Sequence, residues 1–149
     1  MSPLVSTLEF TAALTGALFA GAALYINVAE HPARMGLETS AAALQWAPSY
    51  KRATWLQAPL ALVSLGCGFG AWFLGAGLCW LVAALLVGAV VPFTFVVIMP
   101  TNNRLLAPDR DLGSAETRGL LIRWGKLHAV RTVLGLCGAI IYLWALLGA

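Results

Sequence analysis

Residues 78–99 read LCWLVAALLVGAVVPFTFVVIM, a stretch that contains no charged residue. A helix needs about 20 apolar residues to cross the hydrocarbon core of a bilayer. This stretch reaches that length, and an apolar composition on all sides is typical of a membrane span. We therefore predict a transmembrane helix at roughly residues 78–99.

Three more stretches meet the same requirement, at roughly residues 10–28, 53–74 and 127–147. Of the 149 residues, 60% are apolar and 10% are charged. The polar residues are too few to form the outer shell of a soluble domain of this size. We predict one all-α domain over residues 1–149, an integral membrane four-helix bundle with antiparallel up-down topology.

The nine Lys and Arg residues indicate the orientation. All lie in or beside the first and third connections, and basic residues are retained on the cytoplasmic side. We expect both termini outside, in the periplasm of a bacterial inner membrane, and the polar residues at the cytoplasmic end. The net charge is +3, but the basic residues lie beside apolar runs, so we expect no nucleic-acid partner.

The connections carry local signals. The Gly-Ala-Gly sequence at 75–77 predicts a tight hairpin between two spans. Residues 39–46 are expected to form a short helix stopped by Pro48, and Ser114 is the expected N-cap of the lead-in to the last span. The GxxxG spacing of Gly66 and Gly70 favours packing within the chain, with a homodimer as the alternative.

Polar residues cluster at the inner ends of the spans. Asn27, Glu30, His31 and Arg34 have offsets of three, four and seven, which places them within one arc of a helix, although Pro32 disfavours a helical conformation at His31. The same face pattern recurs at the start of the last span, and the second and third spans add polar groups at the same depth. These further residues are Trp124, His128 and Arg131, then Arg52, then Asn102 and Asn103.

Each arginine alone could extend its charge to the interface. That interpretation does not explain the histidines, the carboxylate and the amides in the same layer, because topology needs none of them. A charged group at membrane depth costs about 2.5–3.5 kcal/mol on insertion scales. We interpret the cluster as a functional site.

Four motifs carry a resemblance to a known family. They are N-x-x-E-H-P-A-R at 27–34, W-x-x-x-Y-x-R at 46–52, P-T-N-N-R-L at 100–105 and R-W-G-K-L-H-A-V-R-T at 123–132. In this order they resemble the anthrone oxygenase-like family of small four-helix membrane proteins. The resemblance spans essentially the whole chain and implies a cofactor-independent oxygenase. Its partners would be a small hydrophobic anthrone-like phenol, O2 and membrane lipid.

The implied chemistry needs a base, an oxyanion partner and a dry pocket. His128 is the first choice for the base and His31 the second. Arg131 and Arg34 would stabilise enolate or peroxide charge, and Glu30 would orient a histidine or pair with an arginine.

The remaining candidates would bind the substrate. Asn102 and Asn103 would donate hydrogen bonds, Trp124 would form an aromatic wall, and Asn27 and Arg52 complete the set.

Two alternatives remain open at this point. In the first, His31, His128 and Glu30 hold iron or copper, or the two histidines are axial ligands of a haem. In the second, the chain is a non-enzymatic transport, lipid-binding or assembly protein, although the middle of each span lacks the polar path that transport usually needs.

Overall fold

The computed structural model describes residues 2–148, which form four long helices joined by short connections. Helix α1 spans Pro3–Met35, α2 spans Thr39–Ala76, α3 spans Leu78–Leu105 and α4 spans Ala115–Leu146. All four are long and apolar enough to cross a membrane. The described chain is all-helical, as predicted.

The helices are longer than the apolar stretches in the sequence. Helices α1, α2 and α4 begin before the predicted spans, and α1 and α3 continue past their ends. Hydropathy marks the part of a helix that faces hydrocarbon and not the polar turns beyond it. Those extra polar turns contain part of the candidate site, whereas Asn27, His128 and Arg131 lie inside the predicted spans.

Helix α1 contains a π turn just before a proline. Residues Ile26–Glu30 form the turn, and the N–H of His31 donates to the carbonyl of Ile26. A proline ring clashes with the carbonyl four residues earlier, and a π turn accommodates such a residue without ending the helix. His31 keeps helical angles, φ −67° and ψ −44°, so the expectation that Pro32 would pull it out of the helix is wrong.

Helix α3 repeats this arrangement. Its π turn is Thr94–Ile98, and the N–H of Met99, the residue before Pro100, donates to the carbonyl of Thr94. Single π turns inside α-helices are frequent at functional sites. Both π turns lie next to the polar clusters described below.

Helix α2 is α-helical over Thr39–Ala71 and continues through Pro48 and Pro59. The expected short helix ending at Pro48 is therefore wrong. Trp46 is 1% exposed and packs in the core just before this proline. Packing against neighbouring helices holds the backbone helical where local propensity alone favours a break.

The turn between α2 and α3 uses two glycines with positive φ, Gly75 at 95° and Gly77 at 101°. L-residues with side chains rarely adopt these angles, so the Gly-Ala-Gly sequence suits this turn. At the start of α4, the Ser114 hydroxyl accepts a hydrogen bond from the N–H of Thr117 at 3.1 Å, which confirms the predicted N-cap.

Small residues let α1, α2 and α4 approach closely around Tyr142. The Tyr142 hydroxyl donates to the carbonyl of Ser64 at 3.0 Å. A Cβ atom at Gly68 would collide with the Tyr142 side chain, and one at Gly16 would lie 2.9 Å from the Ser64 Oγ. Close backbone approach of this kind is how helices associate in lipid.

Buried apolar side chains form two clusters, one in each half of the bundle. The half that contains the 75–77 turn includes Phe19, Trp80, Val87 and Tyr142, and the other half includes Trp46, Ile98, Leu121 and Trp124. Large apolar side chains also cover the outside, with Trp55 84% and Val96 74% exposed. An apolar outer surface of this extent is suited to lipid.

Candidate active site

The polar faces of α1 and α4 meet at Asn27. Its Oδ1 accepts a hydrogen bond from the Thr132 hydroxyl at 2.6 Å and lies 2.8 Å from Nδ1 of His128. Its Nδ2 donates to the carbonyl of Gly125 at 3.2 Å. His128 is only 2% exposed, so its Nδ1 needs a hydrogen-bond partner within the protein. The Asn27 oxygen is that partner.

This network assigns the tautomer of His128. Because Asn27 presents an oxygen, Nδ1 of His128 must carry the proton and donate it. The lone pair is then on Nε2, for which no hydrogen bond occurs within residues 2–148. A buried neutral imidazole with a free Nε2 lone pair can accept a proton.

Trp124 lies beside both histidines. Its ring centroid is 4.9 Å from that of His128 and 5.4 Å from that of His31. The Trp46 ring centroid lies 5.8 Å from that of Trp124 with the two planes at 82°, and the guanidinium carbon of Arg34 lies 5.8 Å from the Trp124 ring centre. Trp124 is thus the aromatic contact shared by the α1 and α4 polar groups.

A second polar network joins α1 to α2. Nη2 of Arg34 donates to Oε1 of Glu30 at 2.5 Å, while Nε of Arg34 donates to Gln45. Ser49 donates its hydroxyl to the same Glu30 oxygen. The Arg34 side chain is 1% exposed, and this pairing with a carboxylate offsets much of its desolvation.

Arg131 lies apart from these networks, on the wall of a cavity of about 170 Å³ between α2, α3 and α4. Its Nη2 donates to Oε1 of Gln57 at 3.0 Å, and its guanidinium carbon lies 5.7 Å from the centre of the Phe19 ring. Among residues 2–148 it has no carboxylate partner. A cation on an apolar wall without a counter-ion favours an anionic ligand.

The remaining candidate residues occupy different surroundings. Arg52 is exposed beside Glu30 in a surface depression, and Asn103 is exposed near the end of α3. Asn102 is fully buried, and neither its Nδ2 nor its Oδ1 has a partner in the described chain. His31 is half-buried along a shallow groove of α1 and α4.

His128 and Arg131, the predicted base and oxyanion partner, do not line the same cavity. His128 lies one turn before Arg131 on α4, yet the cavity is lined by Arg131 and not by His128. His31, His128 and Glu30 also do not form a ligand set: within residues 2–148, no three or more His, Cys, Asp or Glu side chains come together in this way.

Sequence reasoning missed several contributors. Gln45 and Ser49 complete the Arg34 network, and Thr132 completes the Asn27 network. Their spacing was a usable signal, because Gln45 and Ser49 are four residues apart, as are His128 and Thr132. Gln57, which accepts the Arg131 hydrogen bond, was not among the predicted site residues either.

The chain resembles known proteins over most of its length. A sequence profile of the family described as Anthrone oxygenase matches residues 46–141, more than half of the chain. A protein named anthrone oxygenase from Claviceps purpurea is 30% identical over 146 residues, which cover 85% of this chain and 78% of that protein. The chain belongs to the anthrone oxygenase family. The resemblance predicted from the four motifs is thereby confirmed.

Two other members of the anthrone oxygenase family match over shorter regions. Anthrone oxygenase tpcL from Aspergillus fumigatus is 41% identical over 70 residues, covering 45% of this chain and 44% of its own length. Anthrone oxygenase ptaC from Pestalotiopsis fici is 39% identical over 82 residues, covering 49% and 55%. The chain thus spans about half the length of these two relatives. No solved structure matches it significantly.

The match to the anthrone oxygenase family includes only part of the candidate site. Residues 46–141 contain Gln57, Trp124, His128 and Arg131 but none of the α1 residues from 27 to 34. The cavity and the His128 surroundings on α4 thus fall within the family profile. The α1 residues lie outside this profile match, and their contribution rests on the geometry and on the motif at 27–34.

Proposed function

We propose that this protein is a membrane-embedded oxygenase that oxidises an anthrone-like phenol with O2 and without a cofactor. Membership of the family and the Arg131 guanidinium, which has no carboxylate partner among residues 2–148 and lies in an apolar cavity, support the proposal together. The position of this guanidinium in the cavity is the single observation that supports the proposed chemistry. The guanidinium provides a charge partner for the enolate that the reaction needs.

The reaction balances without another redox partner. A base removes a proton from the CH2 group that is conjugated with the ketone, which gives an enolate. The enolate transfers an electron to O2, and the two radicals combine at carbon as a peroxide anion, which takes the proton back from the base and becomes a hydroperoxide. The hydroperoxide loses water together with the second hydrogen of the former CH2 group, which leaves a second carbonyl. One oxygen atom ends in the quinone and the other in water.

The chain's residues divide this work. Arg131 and Gln57 hold the enolate oxygen in the cavity, where low polarity strengthens the charge interaction. His128 does not line the cavity, so it takes the proton on Nε2 through one water molecule. Asn27 keeps His128 in the tautomer that can accept.

The remaining candidates lie outside the lining of this cavity. Trp124 and His31 border His128, and Glu30 with Gln45 and Ser49 holds Arg34 in place. We assign Asn102 to a hydrogen bond with substrate or water, because a buried amide needs partners.

The topology follows from the positive-inside rule. We propose antiparallel up-down helices, both termini outside and the polar site at the cytoplasmic end. The curated relatives named above are fungal, and a bacterial inner membrane for this chain remains a prediction. A homodimer remains a prediction as well.

The test is O2 consumption by the purified protein with anthrone, after subtraction of the protein-free rate. Arg131→Met is expected to lower kcat by about 100-fold to 1,000-fold, the usual loss when an oxyanion partner is removed. Arg123→Met on the exposed face of α4 is the matched control and should match wild type.

An absorption spectrum and metal analysis of the same preparation test the alternative. Stoichiometric iron or copper, or a Soret band, would replace the cofactor-free mechanism with histidine-ligated redox chemistry. Wild-type turnover by Arg131→Met would remove Arg131 from the mechanism.

A further inference from the structure

The cavity that Arg131 lines is polar near Arg131 and Gln57 and mainly apolar elsewhere. Thr54 and Thr94 also line it, but their hydroxyls donate to the carbonyls of Tyr50 at 2.9 Å and Val90 at 2.6 Å within their own helices. These hydroxyls are therefore engaged. The polar groups left for a ligand are concentrated around Arg131, so the cavity suits a flat apolar molecule with one oxyanion.

The rim of this cavity is exposed between α2 and α3. Ala58 on α2 and Phe95 on α3 line the cavity and are both exposed, Phe95 by 65%. Ala61 and Val90, which are 1% and 2% exposed, close its deep end. The cavity thus opens sideways through the helix wall.

The surface around this opening is apolar. Trp55, Leu62 and Val96 flank the rim residues in sequence and are 84%, 53% and 74% exposed. All three belong to helices that are long and apolar enough to span a membrane. Hydrocarbon, and not water, is the medium that such a surface suits.

The backbone of α3 is widened at this point. Its π turn, Thr94–Ile98, supplies Phe95 to the rim. The cavity volume of about 170 Å³ is below the roughly 300–1,000 Å³ of ordinary ligand sites. A tricyclic ligand therefore has to displace a rim side chain, and Phe95 is the largest exposed one.

We infer that the gap between α2 and α3 at Ala58 and Phe95 is a membrane-facing entrance, through which an apolar phenol passes from the lipid to Arg131. The inference rests on the proposed function for the class of substrate. It adds the route of entry and the residues that control it. The Phe95 side chain controls the passage of the phenol, and the small Ala58 side chain leaves the space through which the phenol passes.

The test measures anthrone binding to the full chain in lipid nanodiscs, in oxygen-free buffer, by stopped-flow quenching of tryptophan fluorescence. Ala58→Phe is expected to slow association by about tenfold, and dissociation equally, because an obstructed entrance slows both directions. Kd stays near the wild-type value. Leu62→Phe, one turn further along α2 and outside the cavity lining, is the matched control and should keep wild-type rates.

A double variant separates obstruction from misfolding. Phe95→Ala in the Ala58→Phe background should restore the association rate, since it reopens the gap from the opposite side. Wild-type rates in Ala58→Phe, or a raised Kd with unchanged association, would overturn the entrance. Failure to restore the rate would do the same. If the wild-type chain does not bind anthrone, the proposed function fails and the inference fails with it.

Discussion

Asn27 connects two helices through one amide group. Its oxygen accepts hydrogen bonds from Thr132 and His128 of α4, and its nitrogen donates a hydrogen bond to the backbone carbonyl of Gly125 on the same helix. A Cβ atom at Gly125 would collide with His31 Nε2, so a larger residue at position 125 would have to displace the His31 ring. The tautomer of His128 is thus determined by a residue about a hundred positions earlier in the chain.

We expect His128→Ala to abolish O2 consumption with anthrone while leaving the protein folded in detergent. The reason is that Nε2 of His128 is the proposed proton acceptor and no other imidazole occupies its place. The measurements are turnover and a thermal melt on the same sample. Turnover that persists in a folded His128→Ala protein would exclude this residue as the base and leave it a structural role with Asn27.

Of the three Glu–Arg contacts among residues 2–148, the two shortest differ mainly in burial; the third, between Arg110 and Glu116, is longer, at 3.7 Å. Glu30 pairs with Arg34, whose side chain is 1% exposed, whereas Glu116 pairs with Arg104 and both are more than half exposed. Glu30→Gln leaves a buried guanidinium without its counter-charge, so we expect a loss of about 3 kcal/mol in the free energy of unfolding. Glu116→Gln should cost about 0–1 kcal/mol. Denaturant melts in detergent measure both, and equal losses would contradict the burial argument.

At the scale of elements, two helices use a π turn before a proline in the half of the bundle that holds the site. The turns supply Asn27 to the His128 network and Phe95 to the cavity rim. In each case the residue before the proline, His31 or Met99, keeps a backbone hydrogen bond five residues back. The helix therefore continues while its register shifts by one residue.

Helix packing predicts opposite effects for two neighbouring glycines of α2. A Cβ atom at Gly68 would collide with Tyr142, while one at Gly66 meets nothing within 4 Å. We expect Gly68→Ala to lower the melting temperature clearly, because α2 and α4 must move apart. Gly66→Ala should leave it unchanged or raise it, since alanine is favoured over glycine in a helix by about 1 kcal/mol. Equal melting temperatures would mean that this contact is not maintained in the membrane.

At the scale of the whole molecule, the four helices place most buried polar groups, drawn from separate segments, in one half, and mainly small and apolar residues in the other, where Glu9 and Ser64 are the buried polar exceptions among residues 2–148. Arg34, Arg131 and His128 are all held in the first half by hydrogen bonds to a neighbouring helix. Such bonds do not depend on water. This suits a site inside a membrane, where exposed charge is costly.

The proposed topology predicts the side of each connection. Single cysteines at Asp109 and Leu147, in a chain whose three natural cysteines are replaced by serine, can be labelled in intact cells with a membrane-impermeant maleimide. Both positions are exposed. We expect labelling at 147 at once and at 109 only after permeabilisation, because basic residues flank the third connection. The opposite pattern would invert the bundle and the side of the site.

Much of the architecture could be predicted from local sequence. The four apolar stretches, the Gly-Ala-Gly turn and the Ser114 cap each depend on residues that are close in the chain, so hydropathy and capping rules find them. The motif order was sufficient to predict the family. The predictions that were wrong also came from local rules. Pro48 and Pro32 do not break their helices, because packing against neighbouring helices stabilises the helical backbone, and local proline rules do not include that packing.

The sequence by itself determined that four helices would exist and which polar residues would lie at one end. Only the tertiary structure decided how those residues group: Asn27 with His128, Arg34 with Gln45, and Arg131 with Gln57 on a separate cavity. Hydropathy measures the transfer of each residue into lipid, which is independent of its neighbours. Partner choice depends on the rotation and distance between helices, which close contacts of small residues such as Gly68 and Gly125 set across segments far apart in the chain.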